Sequence, residues 1–144
     1  MSAVATLPAD AEGDVLGAVM GVLRADLAVQ ALFGSPPRIF DDETQAPIFP
    51  NVRLERHETR DAGASCVPAL EHRITLALAS RWGGRAFAKH AMGQLRHVLE
   101  TQGLSVPGQQ IVLQQVLFTD VIRAADRRSF RGVLQLRIIA EEAA

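Results

Sequence analysis

Apolar residues recur at helical spacing early in the chain, where Val15, Leu16, Val19, Met20 and Leu23 fall on one stripe. Asp10, Glu12 and Asp14 crowd the beginning of that stripe, where acids meet the positive end of a helix dipole, so a helix is predicted over roughly 10–24. Asp26 is placed to cap a second, short helix through Leu27, Ala28, Ala31, Leu32 and Phe33, which Gly34 would end in the left-handed conformation. Two apolar helix faces in succession imply one packed helical layer. Ser35-Pro36-Pro37 breaks the pattern, and Pro47 and Pro50 bracket a stretch that regular helix excludes. Between them, Arg38-Ile39-Phe40-Asp41-Asp42 reads as a short extended piece followed by an acidic loop.

From here the period changes to two. Val52, Leu54 and Arg56 begin a first strand that runs into the polar segment 57–65. Its partner follows over 69–81, where Ile74, Leu76 and Leu78 take one side and Arg73, Thr75 and Ala77 the other. Trp82-Gly83-Gly84 marks the exit, and Trp82, directly after an apolar strand, is expected in the core. A third helix buries Phe87, Ala88, Ala91, Met92, Leu95, Val98 and Leu99 and ends near Gly103. After a Pro107-Gly108 turn come two long strands, 109–122 and 129–140; in the second, Leu134, Leu136 and Ile138 alternate with Gln135, Arg137 and Ile139. The connecting segment 123–128 is charged and exposed.

The order α-α-β-β-α-β-β predicts an α+β domain: an antiparallel-rich, four-stranded sheet with helices packed on one face and long projecting β-hairpins. Strands of about twelve residues at ~3.3 Å each reach ~40 Å, against a radius of gyration near ~15 Å for a compact domain of this length. The final strands must therefore cross the whole domain or project beyond it. Their edges need to be blunted or covered by another chain.

A length of 144 residues is read as a single domain, 1–144, with 1–9 as a flexible N-terminus. Hydrophobic residues at 48% and charged residues at 22% are ordinary for a folded soluble protein. The formal net charge is -1, with 15 cations against 16 anions interspersed rather than blocked. That balance argues against dedicated DNA binding, which works by phosphate neutralisation and counterion release. Lys89 is the only lysine, and arginine, which dominates the cations, is favoured at protein interfaces by its planar fork. A coding bias towards arginine explains the same count. Cys66 is alone, so no internal disulfide forms, and the chain suits a reducing compartment. No secretory signal or membrane span is expected, which points to the cytoplasm and to no membrane partner.

The usual catalytic signatures are absent. No serine sits in a Gly-x-Ser-x-Gly elbow. His57 and His72 flank the hairpin that carries Cys66, yet ordinary strand histidines beside a solitary cysteine are the commoner arrangement. His90 and His97 are seven apart on the third helix, not the four of a helical zinc pair. Asp41-Asp42-Glu43 reads as a solvated loop rather than a cation site. Gly83-Gly84 is followed by no Lys-Ser or Lys-Thr and reads as a helix start rather than a phosphate cradle. The expectation is therefore a chain without catalytic residues, metal or cofactor, not an enzyme.

Several segments occur in a recognisable order: Leu23-Arg24-Ala25-Asp26, Arg38-Ile39-Phe40-Asp41, Ala46-Pro47-Ile48-Phe49-Pro50, Glu71-His72-Arg73-Ile74-Thr75-Leu76, Gly84-Arg85-Ala86-Phe87-Ala88-Lys89 and Arg131-Gly132-Val133-Leu134. Together, over roughly 15–142, they resemble the tail-completion, or tail-terminator, family of long-tailed phages and of phage-derived gene transfer agents. The chain departs from that pattern in having Phe40 and Asn51 where tyrosine is common, and it contains no tyrosine.

The resemblance implies a closed ring of copies, usually six, made in the bacterial cytoplasm and then held in the tail of a phage or phage-like particle. The ring binds the last ring of tail-tube protein, stops its polymerisation and offers its other face to the head-side connector or stopper, while DNA passes through the channel without specific binding. Head-to-tail contacts that close and two chemically different faces are what such a ring needs. The contacts are assigned to the hairpin tips, at Arg60 and Asp61 and at Arg123, Asp126, Arg127 and Arg128, and to the loop holding Asp41, Asp42, Glu43 and Phe49. Two other readings stay open: another head-tail connector or tail-tube component, and a small-molecule-binding or enzymatic α+β domain with its pocket between sheet and helices.

Overall fold

A computed structural model describes residues 6–41, 48–63 and 67–143. Helix α1 spans Ala11–Ala25 and α2 spans Leu27–Phe33. The Asp26 carboxylate accepts the Val29 N–H at 3.0 Å, the cap expected of it. Gly34 ends α2 at φ 96° and ψ 174°, a positive φ outside the left-handed helical well predicted for it. Strand β1 is only Ile39–Phe40, and β2 (Asn51–Asp61), β3 (Ala69–Ser80), helix α3 (Gly84–Thr101), β4 (Gln109–Arg123) and β5 (Phe130–Glu142) complete the fold.

The class is α+β, as the periodicities predict, but the sheet has five strands in the order β1-β2-β3-β5-β4 rather than four. The added strand is the short extended piece at Ile39 and Phe40, which pairs parallel with Val52 and Arg53. All other pairings are antiparallel. Inner strands β3 and β5 pair over twelve residues, from Ala69 opposite Glu141 to Ser80 opposite Phe130. That pairing welds the two hairpins side by side, so the long strands cross the molecule as a plank and do not stand apart from it as ribbons.

One face of the plank carries His72, Ile74, Leu76 and Leu78 from β3 and Leu134, Leu136, Ile138 and Ala140 from β5, all buried. All but His72 join Val15, Val19, Met20 and Leu23 of α1, Phe33 of α2 and Ala88, Ala91, Met92, Leu95, Val98 and Leu99 of α3 in one hydrophobic cluster. Helix α3 touches this face so closely at Gly132 that a Cβ there would lie 2.6 Å from the Met92 sulfur and 3.1 Å from the Leu78 Cβ.

Helix α1 carries Gly13, Gly17 and Gly21 on its solvent side, with no atom within 4 Å of where a Cβ would be placed. Glycine inside a helix costs about 0.5–1 kcal/mol relative to alanine, and no packing contact offsets it here. Gly17→Ala is expected to stabilise the isolated chain by roughly that amount in urea titration.

Candidate assembly surfaces

The register fixes which parts of the sequence meet at each end of the plank. Ser80 and Phe130 are opposite, as are Phe130 and Arg123, so the 124–129 turn lies at the same end as Asn51 and the β3–α3 junction. Asp61 pairs with Leu70, and Gln109 with Glu142, so Asp61 and the start of β3 lie at the other end with Pro107 and Gly108. Of the predicted contact residues, Phe49, Arg123, Asp126, Arg127 and Arg128 therefore gather at one pole, and Arg60 and Asp61 at the opposite one. Asp41 is exposed just past β1, on the sheet's edge. Asp42 and Glu43 lie outside the described residues, as does Cys66.

At the first pole the Asp126 carboxylate accepts the backbone N–H groups of Arg128 and Ser129, at 2.9 and 3.0 Å, and the Ser129 hydroxyl. These bonds, led by that from Arg128, hold its carboxyl below the usual carboxylate range. Asp126 thus shapes the turn, and Arg81 approaches it at 4.0 Å. Arg127 adopts a left-handed φ of 61°, and its carbonyl accepts a bond from Arg123 at 3.1 Å. The exposed groups left at the tip are the guanidiniums of Arg127 and Arg128.

Trp82 belongs to this pole and not to the core, for it is 68% exposed. Strand β3 stops at Ser80, and Gly83, at a left-handed φ of 84°, turns the chain outward into α3. A side chain at Gly83 would collide with Phe87, whose Cβ lies 2.6 Å from the point a Cβ would take. The two glycines are thus a helix start, as their setting predicts. The Trp82 ring meets Phe49 edge-on at 6.4 Å, and the Arg81 guanidinium stacks 4.5 Å over the same Phe49 ring. With Ile48 also exposed, the pole combines apolar surface with cations. The opposite pole is plainer: Arg60 sits 3.8 Å from Glu58, and Asp61 accepts the Gly63 N–H at 3.1 Å.

Among the described residues, the sheet's second face carries no helix. Arg131 bonds Glu55 at 2.6 Å, and Glu71 is held between Arg73 and Arg137, at 3.0 and 3.1 Å. Those two arginines, Arg73 first, keep the Glu71 carboxyl below its ordinary value. Towards β4 the same face turns apolar and exposed at Phe118 and Ile122.

The two edges differ. Strand β4 presents its whole outer edge, interrupted by bulges at Val112 and Leu117, devices that discourage indiscriminate strand pairing. Between this edge and α3 runs a groove of about 410 Å³ lined by Arg85, Lys89, Arg96 and Thr119. Sequence reasoning missed it, although Arg85, Lys89 and Arg96 lie within three turns of one helix whose only acid is Glu100.

An arrangement resembling chemistry is the His57–His72 pair, with nitrogens 2.9 Å apart and rings stacked at 5.2 Å. Burial, followed by the His57 charge, pushes His72 down to about 4, and burial lowers His57 as well. Glu12, whose carboxylate bonds the Thr59 hydroxyl, partly opposes both shifts. With both values lowered, the rings are neutral near pH 7 and share one proton in a hydrogen bond. No group of three or more metal-ligating side chains occurs among the described residues.

Long strands, paired edge to edge within the chain and open at the outer edge of β4, with different side chains at two distant poles, are what a subunit of a larger protein assembly would present. The family model described as tail completion protein gp17 matches residues 17–141, and the chain belongs to that family of structural phage-tail assembly proteins. Among solved structures, a chain of the "Virion of native gene transfer agent (GTA) particle" has the same fold, with a TM-score of 0.81 and 24% identity over 94% of this chain and 99% of that one. No curated protein sequence matches.

Proposed function

We propose that the chain is a tail terminator, a non-enzymatic subunit of a closed ring that caps the tail tube and halts its growth. The ring's other face meets the head-side connector, and DNA passes through the channel. Six copies are the number the family resemblance suggests. The observation that carries this reading is the opposition of two unlike strand ends, at Asp61 and at Arg123, across a sheet whose four long strands run 11–15 residues. A ring subunit needs lateral edges for its copies and two unlike ends for two axial partners, and this molecule has both. The pole of Phe49, Trp82, Arg127 and Arg128 meets one partner, and that of Arg60 and Asp61 meets the other.

Native mass spectrometry with and without tail-tube protein tests the reading: closed rings that join tube ends and then stop are expected. Open filaments would instead indicate a tube subunit, and monomers that never join tube ends would remove the proposal. Charge reversal separates the poles. The double variant Arg127→Glu/Arg128→Glu is expected to lose one axial partner while keeping the fold and the ring, since both side chains are exposed and changes at such sites shift stability by no more than about 0.5 kcal/mol. Arg60→Glu should spare that partner and weaken the other. Pull-downs in which both variants retain both partners would refute the polar assignment.

A further inference from the structure

We infer that adjacent copies join by their sheet edges, β4 and the α3 groove of one copy receiving the β1–β2 edge of the next. This rests on the ring reading above and specifies which surfaces close it. Strand directions make the pairing regular. β2 and β5 run one way and β3 and β4 the other, so copies repeated head to tail around a ring bring β4 alongside the next β2 antiparallel, continuing the pattern within each sheet.

Heights also match. Val52, Leu78, Gly132 and Val121 form one row across the sheet, and Leu54, Leu76, Leu134 and Thr119 another. Ile39 extends the first row at the far edge and Phe40 pairs with Arg53 between the two, which puts Asp41 level with Leu54, Thr119 and the basic groove. Lower down, Arg56–Asp61 of β2 has no strand on its outer side among the described residues and lies level with the β4 segment 111–116. The bulge at Glu55 on β2 and that at Leu117 on β4 are one row apart, so the two edges bend at nearly the same height.

Charge distinguishes this occupant from any other flat strand. The groove offers Arg85 and Lys89, with Asp120 as its acid, and Lys89 has no ion-pair partner among the described residues. Arg96 is already paired with Glu100 at 2.7 Å. The exposed acid on the opposing edge at that height is Asp41, also without an ion-pair partner among the described residues. Complementary charge at one height sets register and suppresses pairing between like edges.

The test is charge exchange in the full chain, read by native mass spectrometry and by amide hydrogen exchange. Lys89→Glu alone and Asp41→Lys alone are each expected to weaken the copy–copy contact about tenfold or more. The double variant should recover rings, because each interface then pairs a glutamate with a lysine again. Thermal melting of the monomers should be unchanged, both sites being exposed. In wild-type rings the outer-edge amides of β4 should be protected relative to the monomer. Rings that form equally in all three variants with β4 exchanging freely would overturn the edge pairing and leave the ring reading standing. A wild-type chain that forms no ring, alone or on tube ends, overturns both.

Discussion

Replacing Phe33 with alanine is expected to cost about 3–5 kcal/mol, the range for deleting a fully buried aromatic side chain. Phe33 ends α2, has no solvent exposure and belongs to the central cluster. The carbonyl of Phe33 also accepts the Arg38 N–H at 2.9 Å, so the ring and the backbone together fix the turn into β1. For a domain of this length the melting temperature should fall by roughly 10 °C. Leu27, in the same helix but 80% exposed, provides the control: Leu27→Ala should stay within about 0.5 kcal/mol in urea titration. Equal costs for the two would show that α2 does not pack as described.

Acidification is expected to produce the second large effect, through the His57–His72 pair. The folded-state value of His72 is near 4, below the ~6.5 of an unfolded histidine, so on lowering the pH the unfolded chain takes up a proton first. Its contribution is therefore complete above about pH 6.5 and is lost progressively between about 6.5 and 4. The depressed value of His57 acts in the same direction. His72 alone contributes up to about 3 kcal/mol, with a slope of up to about 1.4 kcal/mol per pH unit for each proton. Chemical denaturation at several pH values should show this slope between about pH 6.5 and 5.5, above the range in which carboxylates of the unfolded chain protonate, and His72→Leu should flatten it. An unchanged slope in that variant would assign the acid sensitivity elsewhere.

Periodicity alone located the long elements. The α1 stripe predicts 10–24 against Ala11–Ala25, and the last two strands predict 109–122 and 129–140 against Gln109–Arg123 and Phe130–Glu142. What it could not locate depends on events between elements. Strand β1 is two residues long, too short to establish an alternation, and exists because β2 supplies a partner. Trp82 follows an apolar strand, but the left-handed Gly83 redirects the chain, and no hydropathy pattern records that. His57 is the sharpest case: counting in twos from Val52 and Leu54 turns it to the helix-free side, whereas the bulge at Glu55 shifts the phase and sets it opposite Ile74, beside His72.

The same limit applied to the predicted contact residues. Their exposure was legible, because charge and turn residues concentrate at 60–61 and 123–128. Their separation was not, since opposite poles follow from β3 lying between β2 and β5, a choice made by long-range pairing. The Arg85 and Lys89 groove needed β4 as its second wall, and strand order alone supplies that wall.

The twelve-residue seam between β3 and β5 has a mechanical consequence. Backbone bonds in an antiparallel pair lie across the strands, so a pull applied between Ala69, where β3 begins, and the 124–129 turn strains the whole row simultaneously in shear. Peeling would break the bonds one by one at far lower force. A particle that tugs on this subunit from both ends is therefore loading it along its toughest axis.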